Sequence, residues 1–338
     1  MRPIRFLRHR LHLRLYRRWL QALALLRGRD LRCVADRTQA MGEGPVLFST
    51  VRNEAVRLPY FLDHYRRLGV THFLIVDNGS TDGTSALLED QSDVSLWRTE
   101  ASYKRARYGV DWLNHLLARH GVGRWVLVVD PDELLVYPHC DTRGLPALTR
   151  WLEDQGSESM AALLLDMYGE GEIGATTYGT GEDPIAAAPW FDAGNYYVTR
   201  DGFYRNLWIQ GGPRMRAFFQ DRPKAAPALN KIPLVRWRRG YVYKTGAHDL
   251  LPRKLNETYA QNGGALTSGV LLHPKFLDVL PGKVSEEMQR RQHYSDSQEY
   301  ASYAAQGAGL SLWTPRSTRY QGWRQLCDLN LMARGGWL

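Results

Sequence analysis

From residue 46 onward, short apolar runs alternate with longer segments whose apolar positions recur at helical spacing. VLFSTV (46–51), HFLIVD (72–77) and WVLVVD (125–130) are continuous, largely β-branched runs of strand length, the pattern of strands buried on both faces. Between them, RLPYFLDHYRRLG (57–69) predicts a helix with Pro59 in its first turn and Gly69 past its end. STDGTSALLED (80–90) predicts a second helix with Ser80 or Thr81 as N-cap. VSLWR (94–98) reads as a short strand, RYGVDWLNHLLARHG (107–121) as an amphipathic helix ending at Gly121, and MAALLLDMYG (160–169) as a further strand-like run. Strands alternating with helices predict a parallel α/β sheet with right-handed crossovers. Ligands in such sheets lie at the carboxyl ends of the strands.

Beyond residue 170 the alternation stops. Residues 169–184 are glycine-rich and predict a long loop; 190–245 are aromatic, basic and turn-rich, as in antiparallel strands and loops. Residues 278–306 are polar and helical in their later part, and 320–338 hold a short helical stretch. The division that follows is a basic amphipathic segment (1–43), a catalytic α/β domain (44–285) and a C-terminal helical extension (286–338).

Three predicted strands end in polar residues at corresponding points: Thr50-Val51-Arg52-Asn53-Glu54, Asp77-Asn78-Gly79-Ser80, and Asp130-Pro131-Asp132-Glu133. An Asp-x-Asp pair alone says little, since chance predicts about one in a chain of this composition. Three polar termini converging on one sheet edge say more.

Charge changes the picture at one end only. The formal net charge is +9, and residues 1–30 carry nine arginines against one acid, Asp30, or +8. The remainder is nearly neutral, which argues against a general nucleic-acid binder. The same segment is leucine-rich, yet no apolar stretch approaches the ~20 residues needed to cross a bilayer. A basic helix of this kind suits an anionic membrane face; the alternatives are a helix packed on its own domain or a frayed tail. Leu11, Leu13 and Leu15 alternate and cannot share one helical face. Cys33, Cys140 and Cys327 are far apart and odd in number, which predicts a reducing compartment without a disulfide framework.

STVRNEAVRLPYFLDHYRRLGVTHFLIVDNGSTDGT followed by RWVLVVDPDELLVYP resembles family 2-type bacterial glycosyltransferases, in the branch with Arg-Asn-Glu after the first strand and Asp-x-Asp-Glu after the fourth. GGPRMR (211–216), NKIPLVRW (230–237) and LLHPKFL (271–277) are similar to that branch as well. The resemblance implies a GT-A type nucleotide-diphospho-sugar transferase fold, a Rossmann-like mixed sheet flanked by helices, with a nucleotide-sugar donor and Mn2+ or Mg2+. Carboxylates repel a diphosphate, and a hard dication bridging the two removes the conflict. On this reading Asp132 is a direct metal ligand, Asp130 meets the ribose or the metal through water, and Glu133 orients Asp132. Thr50, Arg52, Asn53, Glu54, Asp77, Asn78 and Arg105 belong to the donor site; Arg107 is a further phosphate candidate. Asn78 replaces an acid common in the family, which puts the usual uracil preference in doubt. His248, the preferred candidate, or His273 completes the metal site, with His293 a weaker candidate. The base that deprotonates the acceptor is an acid, drawn from Asp166, Glu182, Asp183, Asp192, Asp221 and Asp249, with Asp249 and Asp183 preferred.

The expected function is inverting, metal-dependent transfer of a sugar to a glycan or lipid-linked acceptor in cell-surface polysaccharide synthesis. The expected place is the cytoplasm, peripheral on the inner membrane face. The rivals are a Mg-dependent nucleotidyltransferase and a non-catalytic glycan-binding protein on the same fold.

Overall fold

The computed structural model describes residues 2–259, 266–290, 292, 303 and 309–337. In chain order the first strands are β1 (Arg32–Ala35), β2 (Val46–Val51), β3 (His72–Asp77), β4 (Val94–Arg98), β5 (Trp125–Val128), β6 (Leu134–Val136) and β7 (Ser159–Asp166). They are followed by β8 (Trp190–Phe191), β9 (Tyr196–Asp201), β10 (Asn206–Gly211), β11 (Asn230–Arg236), β12 (Val242–Thr245), β13 (Asp249–Leu251), β14 (Gly269–His273) and β15 (Thr318–Arg319). The helices are α1 (Arg2–Arg27), α2 (Leu58–Arg67), α3 (Thr84–Glu89), α4 (Val110–Leu116), α5 (Leu145–Asp154), α6 (Pro184–Ala187), α7 (Gly212–Phe218) and α8 (Val279–Arg290), with a last short helix over Trp323–Asp328.

Nine strands form one mixed sheet in the order β1-β4-β3-β2-β5-β11-β7-β14-β6. Neighbours β4, β3, β2 and β5 are parallel. The alternation predicted from sequence is this half. Then β11 runs antiparallel between β5 and β7, and β14 lies parallel to β7. The edges are antiparallel short strands, β1 on β4 and β6 on β14. The fold is therefore α/β with a Rossmann-like mixed sheet flanked by helices.

The continuous apolar strands divide their residues between two cores with period two. Leu47, Phe73, Ile75 and Leu127 face α2 and α5, while Val46, Phe48, Leu74, Val76, Val126 and Val128 face α4. Burial on both faces is why these runs show no polar alternation. The predicted bounds of β2, β3 and β4 match those observed. The N-cap prediction for α3 does not: the helix starts at Thr84 after Gly83, whose φ of 92° is left-handed, because Ser80 is committed to Asp77. Helix α4 continues into a wide π turn over Leu117–Gly121, so the predicted end at Gly121 is met. The expected helix in the later part of 278–306 lies largely outside the described residues, as does His293; within them, α8 covers Val279–Arg290.

Residues 2–43 are part of the sheet domain, with β1 as an edge strand of the sheet. Helix α1 lies against α4 and β12, with Leu20 and Ala24 buried and Leu13 and Tyr16 packed around Val242 and Leu251. Gly28 sits under the His115 ring, which a Cβ would meet at 2.1 Å. Leu20→Ala should therefore lower stability by about 2–4 kcal/mol in denaturant unfolding, while Leu15→Ala, on an exposed position, should stay within about 0.5 kcal/mol of the parent. Equal effects would mean that α1 is not docked as described.

Candidate functional site

Parallel β2, β3 and β5 bring their carboxyl ends to one sheet edge, and the three polar termini gather there. The acids after β5 sit in the tight turn to β6, where the Glu133 amide donates to the Asp130 carbonyl at 3.0 Å.

Asp132 is the hub of a buried chain of ion pairs and hydrogen bonds. Its Oδ2 lies 3.3 Å from His273 Nε2 and 3.8 Å from the Arg57 guanidinium. His273 Nδ1 bonds Asp166 Oδ1 at 2.7 Å, and Asp166 Oδ2 accepts from Arg214 Nε at 2.7 Å. In the other direction Arg57 reaches Glu54 at 3.6 Å, and Glu54 pairs with Lys283. Burial alone pushes the Asp132 carboxyl up, but His273, then Arg57 and Lys283, outweigh it and hold it well below the usual carboxylate range. Burial likewise pulls His273 down, and Asp132 with Asp166 more than restores it, leaving it above its ordinary value.

A second cluster sits beside the first. Buried Lys231 pairs with Glu133 at 2.8 Å and with Asp130 at 3.2 Å. Burial, aided by Asp130, pushes Glu133 up despite Lys231. Glu133 does not orient Asp132: its Oε2 accepts from the Asp130 amide at 3.1 Å, because the turn points its side chain back at its own start. Asp130 is half exposed. His248 Nδ1 contacts the Asn230 carbonyl at 2.6 Å. Burial, then Lys231, drops the ring to about 3, so it is neutral with Nδ1 donating. The structure thus sets His273, not His248, beside Asp132.

The nucleotide-side candidates fare unevenly. Arg52 donates to the Asn78 and Gly79 carbonyls at 2.5 and 2.6 Å and from Nε to Glu286 at 2.5 Å. Asn53, at φ 51°, donates from Nδ2 to the other Glu286 oxygen at 3.0 Å. Helix α8 thereby spans the strand ends: Lys283 meets Glu54, Glu286 meets Arg52 and Asn53, Arg290 approaches Asn78 Oδ1 at 3.4 Å, and Gln292 just beyond accepts from Ser102 at 2.6 Å. Asn78 Nδ2 donates to the Thr99 and Ala101 carbonyls, so its donors hold the loop after β4. Thr50 Oγ1 is buried without a partner, packed on Gly109, where a Cβ would meet it at 2.9 Å. Arg105 is exposed. Arg107 is committed to Asp111 and the Lys244 carbonyl.

Asp77 is fully buried and its carboxylate is consumed by the turn: Oδ1 accepts from the Ser80 amide at 2.9 Å and its hydroxyl at 2.5 Å, and Oδ2 accepts from Ser85. The acids preferred as base lie apart from the Asp132 chain. Asp249 pairs with Lys244 at 2.8 Å, and burial pushes it up. Asp183 caps α6 through the Ile185 amide and lines a cavity of about 360 Å3 with Tyr60, His64, Leu134, Leu272 and Tyr320. Among the others, Asp192 is held by Arg216 and Tyr168.

Sequence reasoning missed Arg57, Arg214, Lys231, Lys283 and Glu286. Arg214, Lys231 and His273 come one each from the three later blocks, GGPRMR, NKIPLVRW and LLHPKFL; that each block carries basic residues beside apolar ones was the available signal.

Among the described residues, no three His, Cys, Asp or Glu side chains cluster closely enough to hold a metal ion by themselves. Asp132 and His273 do present an oxygen and a nitrogen 3.3 Å apart, with Asp166 behind the histidine, the arrangement that orients a ligating imidazole. This donor set fits a divalent cation that takes its remaining ligands from phosphate oxygens and water.

No family model and no curated protein matches the sequence. Similar solved structures include a mannosyltransferase from Pyrobaculum calidifontis in complex with GDP-Man and Mn2+, at 21% identity and a TM-score of 0.28 over 46% of each chain. A 4-diphosphocytidyl-2C-methyl-D-erythritol synthase is similar at 17% identity and a TM-score of 0.26, over 42% of this chain and 66% of the other. A putative glucose-1-phosphate thymidylyltransferase from Bacillus anthracis, in complex with a sucrose, is similar at 9% identity and a TM-score of 0.25, over 41% of this chain and 64% of the other. The chain spans about half the length of the mannosyltransferase, 46%.

Asp77→Ala removes three hydrogen bonds to a buried carboxylate and should cost about 2–4 kcal/mol of stability. Denaturant unfolding checks this; an unchanged midpoint would return Asp77 to the ligand-facing role expected from sequence.

Proposed function

We propose that the protein is a glycosyltransferase of GT-A type that moves a sugar from a nucleotide-sugar donor to a hydroxyl of a glycan or lipid-linked acceptor, inverting the anomeric carbon. The observation that carries this reading is the Asp132–His273 pair, backed by Asp166, at the carboxyl edge of the parallel strands. Asp132 and His273 would hold a divalent cation there, and that cation supplies Lewis-acid stabilisation of the departing diphosphate.

The remaining work falls to the chain. Arg57 braces Asp132 and keeps it ionised. Arg52, Asn53 and Asn78 stand at the strand ends where the nucleotide would bind, and Lys283 and Arg290 of α8 add positive charge there. In transfer, the anomeric bond to the diphosphate oxygen breaks as the acceptor oxygen bonds to the anomeric carbon. The hydroxyl proton passes to a carboxylate. Between the two preferred acids, both apart from the Asp132 chain, we favour Asp183, which lines a cavity, over Asp249, which is paired with Lys244.

The test is incubation of the purified protein with a panel of nucleotide sugars, with and without EDTA, following release of nucleoside diphosphate. We expect release from one donor that EDTA suppresses and that Asp132→Asn lowers by at least about a hundredfold, the scale of losing several kcal/mol of charge stabilisation. EDTA-insensitive turnover, or full activity in Asp132→Asn, contradicts the metal-assisted reading. Turnover only of a nucleoside triphosphate with a sugar phosphate, releasing inorganic diphosphate, would make it a nucleotidyltransferase. Binding of glycan without any turnover would make it a non-catalytic protein on this fold.

A further inference from the structure

Helix α1 is apolar on two sides. At 3.6 residues per turn, Leu13, Leu20 and Ala24 share the side that packs inward. Leu11, Leu15, Trp19 and Leu26 recur at i, i+4, i+8 and i+15 on the opposite side. Leu11, Leu15, Trp19 and the adjacent Leu25 are 58, 57, 51 and 67% exposed. The alternation of Leu11, Leu13 and Leu15 that denied the helix a single apolar face is thus divided between two faces. Exposed Arg14 and Arg18 flank the outward stripe.

At the inner edge of the helix lies a cavity of about 410 Å3, walled by Arg14, Arg17, Arg205, Arg253 and Lys254 over an apolar floor that includes Leu13. Arg205 pairs with Glu257 and Lys254 with Glu158. Among the described residues Arg14 and Arg17 have no acid partner, and Arg17 Nε is buried without a hydrogen bond. Among the described residues, Arg14 and Arg17 therefore bring to the cavity two cations that no acid offsets.

We propose that the outward face of α1 docks on an anionic phospholipid bilayer, its leucines and Trp19 entering the headgroup boundary while a lipid phosphate occupies the Arg14–Arg17 cavity. The charge selects the occupant. Residues 1–30 carry nine arginines against one acid, so a second copy of the same face would be repelled, whereas acidic lipid attracts each cation and also receives the apolar stripe. A free phosphate would leave the stripe uncovered. No described helix is long and apolar enough to cross a membrane, which fits a helix lying in the interface. The docking does not depend on the transferase reading.

The test is co-sedimentation of the full chain with phosphatidylcholine vesicles and with phosphatidylcholine vesicles doped with phosphatidylglycerol. Deleting α1 would uncover Val242 and Leu251, so substitutions on exposed or cavity-lining positions are used, with circular dichroism as the folding control. The wild type should pellet with doped vesicles and not with neutral ones. Leu15→Ser combined with Trp19→Ser should lower partitioning by at least about tenfold, and Arg14→Gln combined with Arg17→Gln should lower the preference for phosphatidylglycerol by at least about tenfold. The proposal is overturned if the wild type ignores doped vesicles, or if the folded Leu15→Ser/Trp19→Ser variant pellets as well as the parent. It is also overturned if light scattering shows self-association that this variant abolishes while vesicle binding is absent.

Discussion

A line of buried ion pairs and hydrogen bonds, from Arg214 through Asp166, His273, Asp132, Arg57 and Glu54 to Lys283, is the constraint on which the arrangement of this site depends. Each charge taken from water costs several kcal/mol unless its partners return it, and removing one member strands the next, at about 3–5 kcal/mol. The line joins α7, β7, β14, the β5–β6 turn, α2 and α8. Elements far apart in sequence are thereby held to one geometry at the sheet edge. Its middle members, Asp132 and His273, are those whose chemistry suits a cation. Their neighbours keep the carboxylate ionised where burial alone would protonate it.

The nucleotide side is organised differently, with more of its polar atoms committed to the fold. Asp77 closes the turn that launches α3, and Asn78 anchors the loop after β4. Arg52 and Asn53 give donors to Glu286 of α8, so the helix laid across the strand ends supplies both the carboxylate that satisfies them and the cations Lys283 and Arg290 around it.

Much of the sheet could be read from the chain, and the physical reason is burial. β2, β3 and β4 are buried on both faces, so their carboxyl ends are marked by the first charged residue beyond the apolar run, Arg52, Asp77 and Arg98. β1 and β6 were missed because edge strands of three or four residues carry no such signature; β6 in particular reads as the tail of the apolar run before it. At the site, the three strand ends were legible because topology places them together whatever the side chains do. The role of each residue was not. A carboxylate at a strand end looks the same whether it stands between a histidine and an arginine from other elements, like Asp132, or closes its own turn, like Asp77. Lys283 and Glu286 lie more than two hundred residues from Glu54 and Arg52, a separation that no local pattern reports. The leucines of α1 misled for a related reason: a helix with two apolar faces defeats any search for one.

In the proposed function Asp132 and His273 form an incomplete cation site that a diphosphate completes. The measurement that bears on it most directly is Mn2+ binding, by calorimetry, with and without a nucleoside diphosphate. It predicts weak binding of Mn2+ alone, binding at least about tenfold tighter when the diphosphate is present, and loss of that gain in both Asp132→Asn and His273→Ala. Equal Mn2+ affinity with and without the diphosphate, or an undiminished gain in the folded His273→Ala variant, would contradict it.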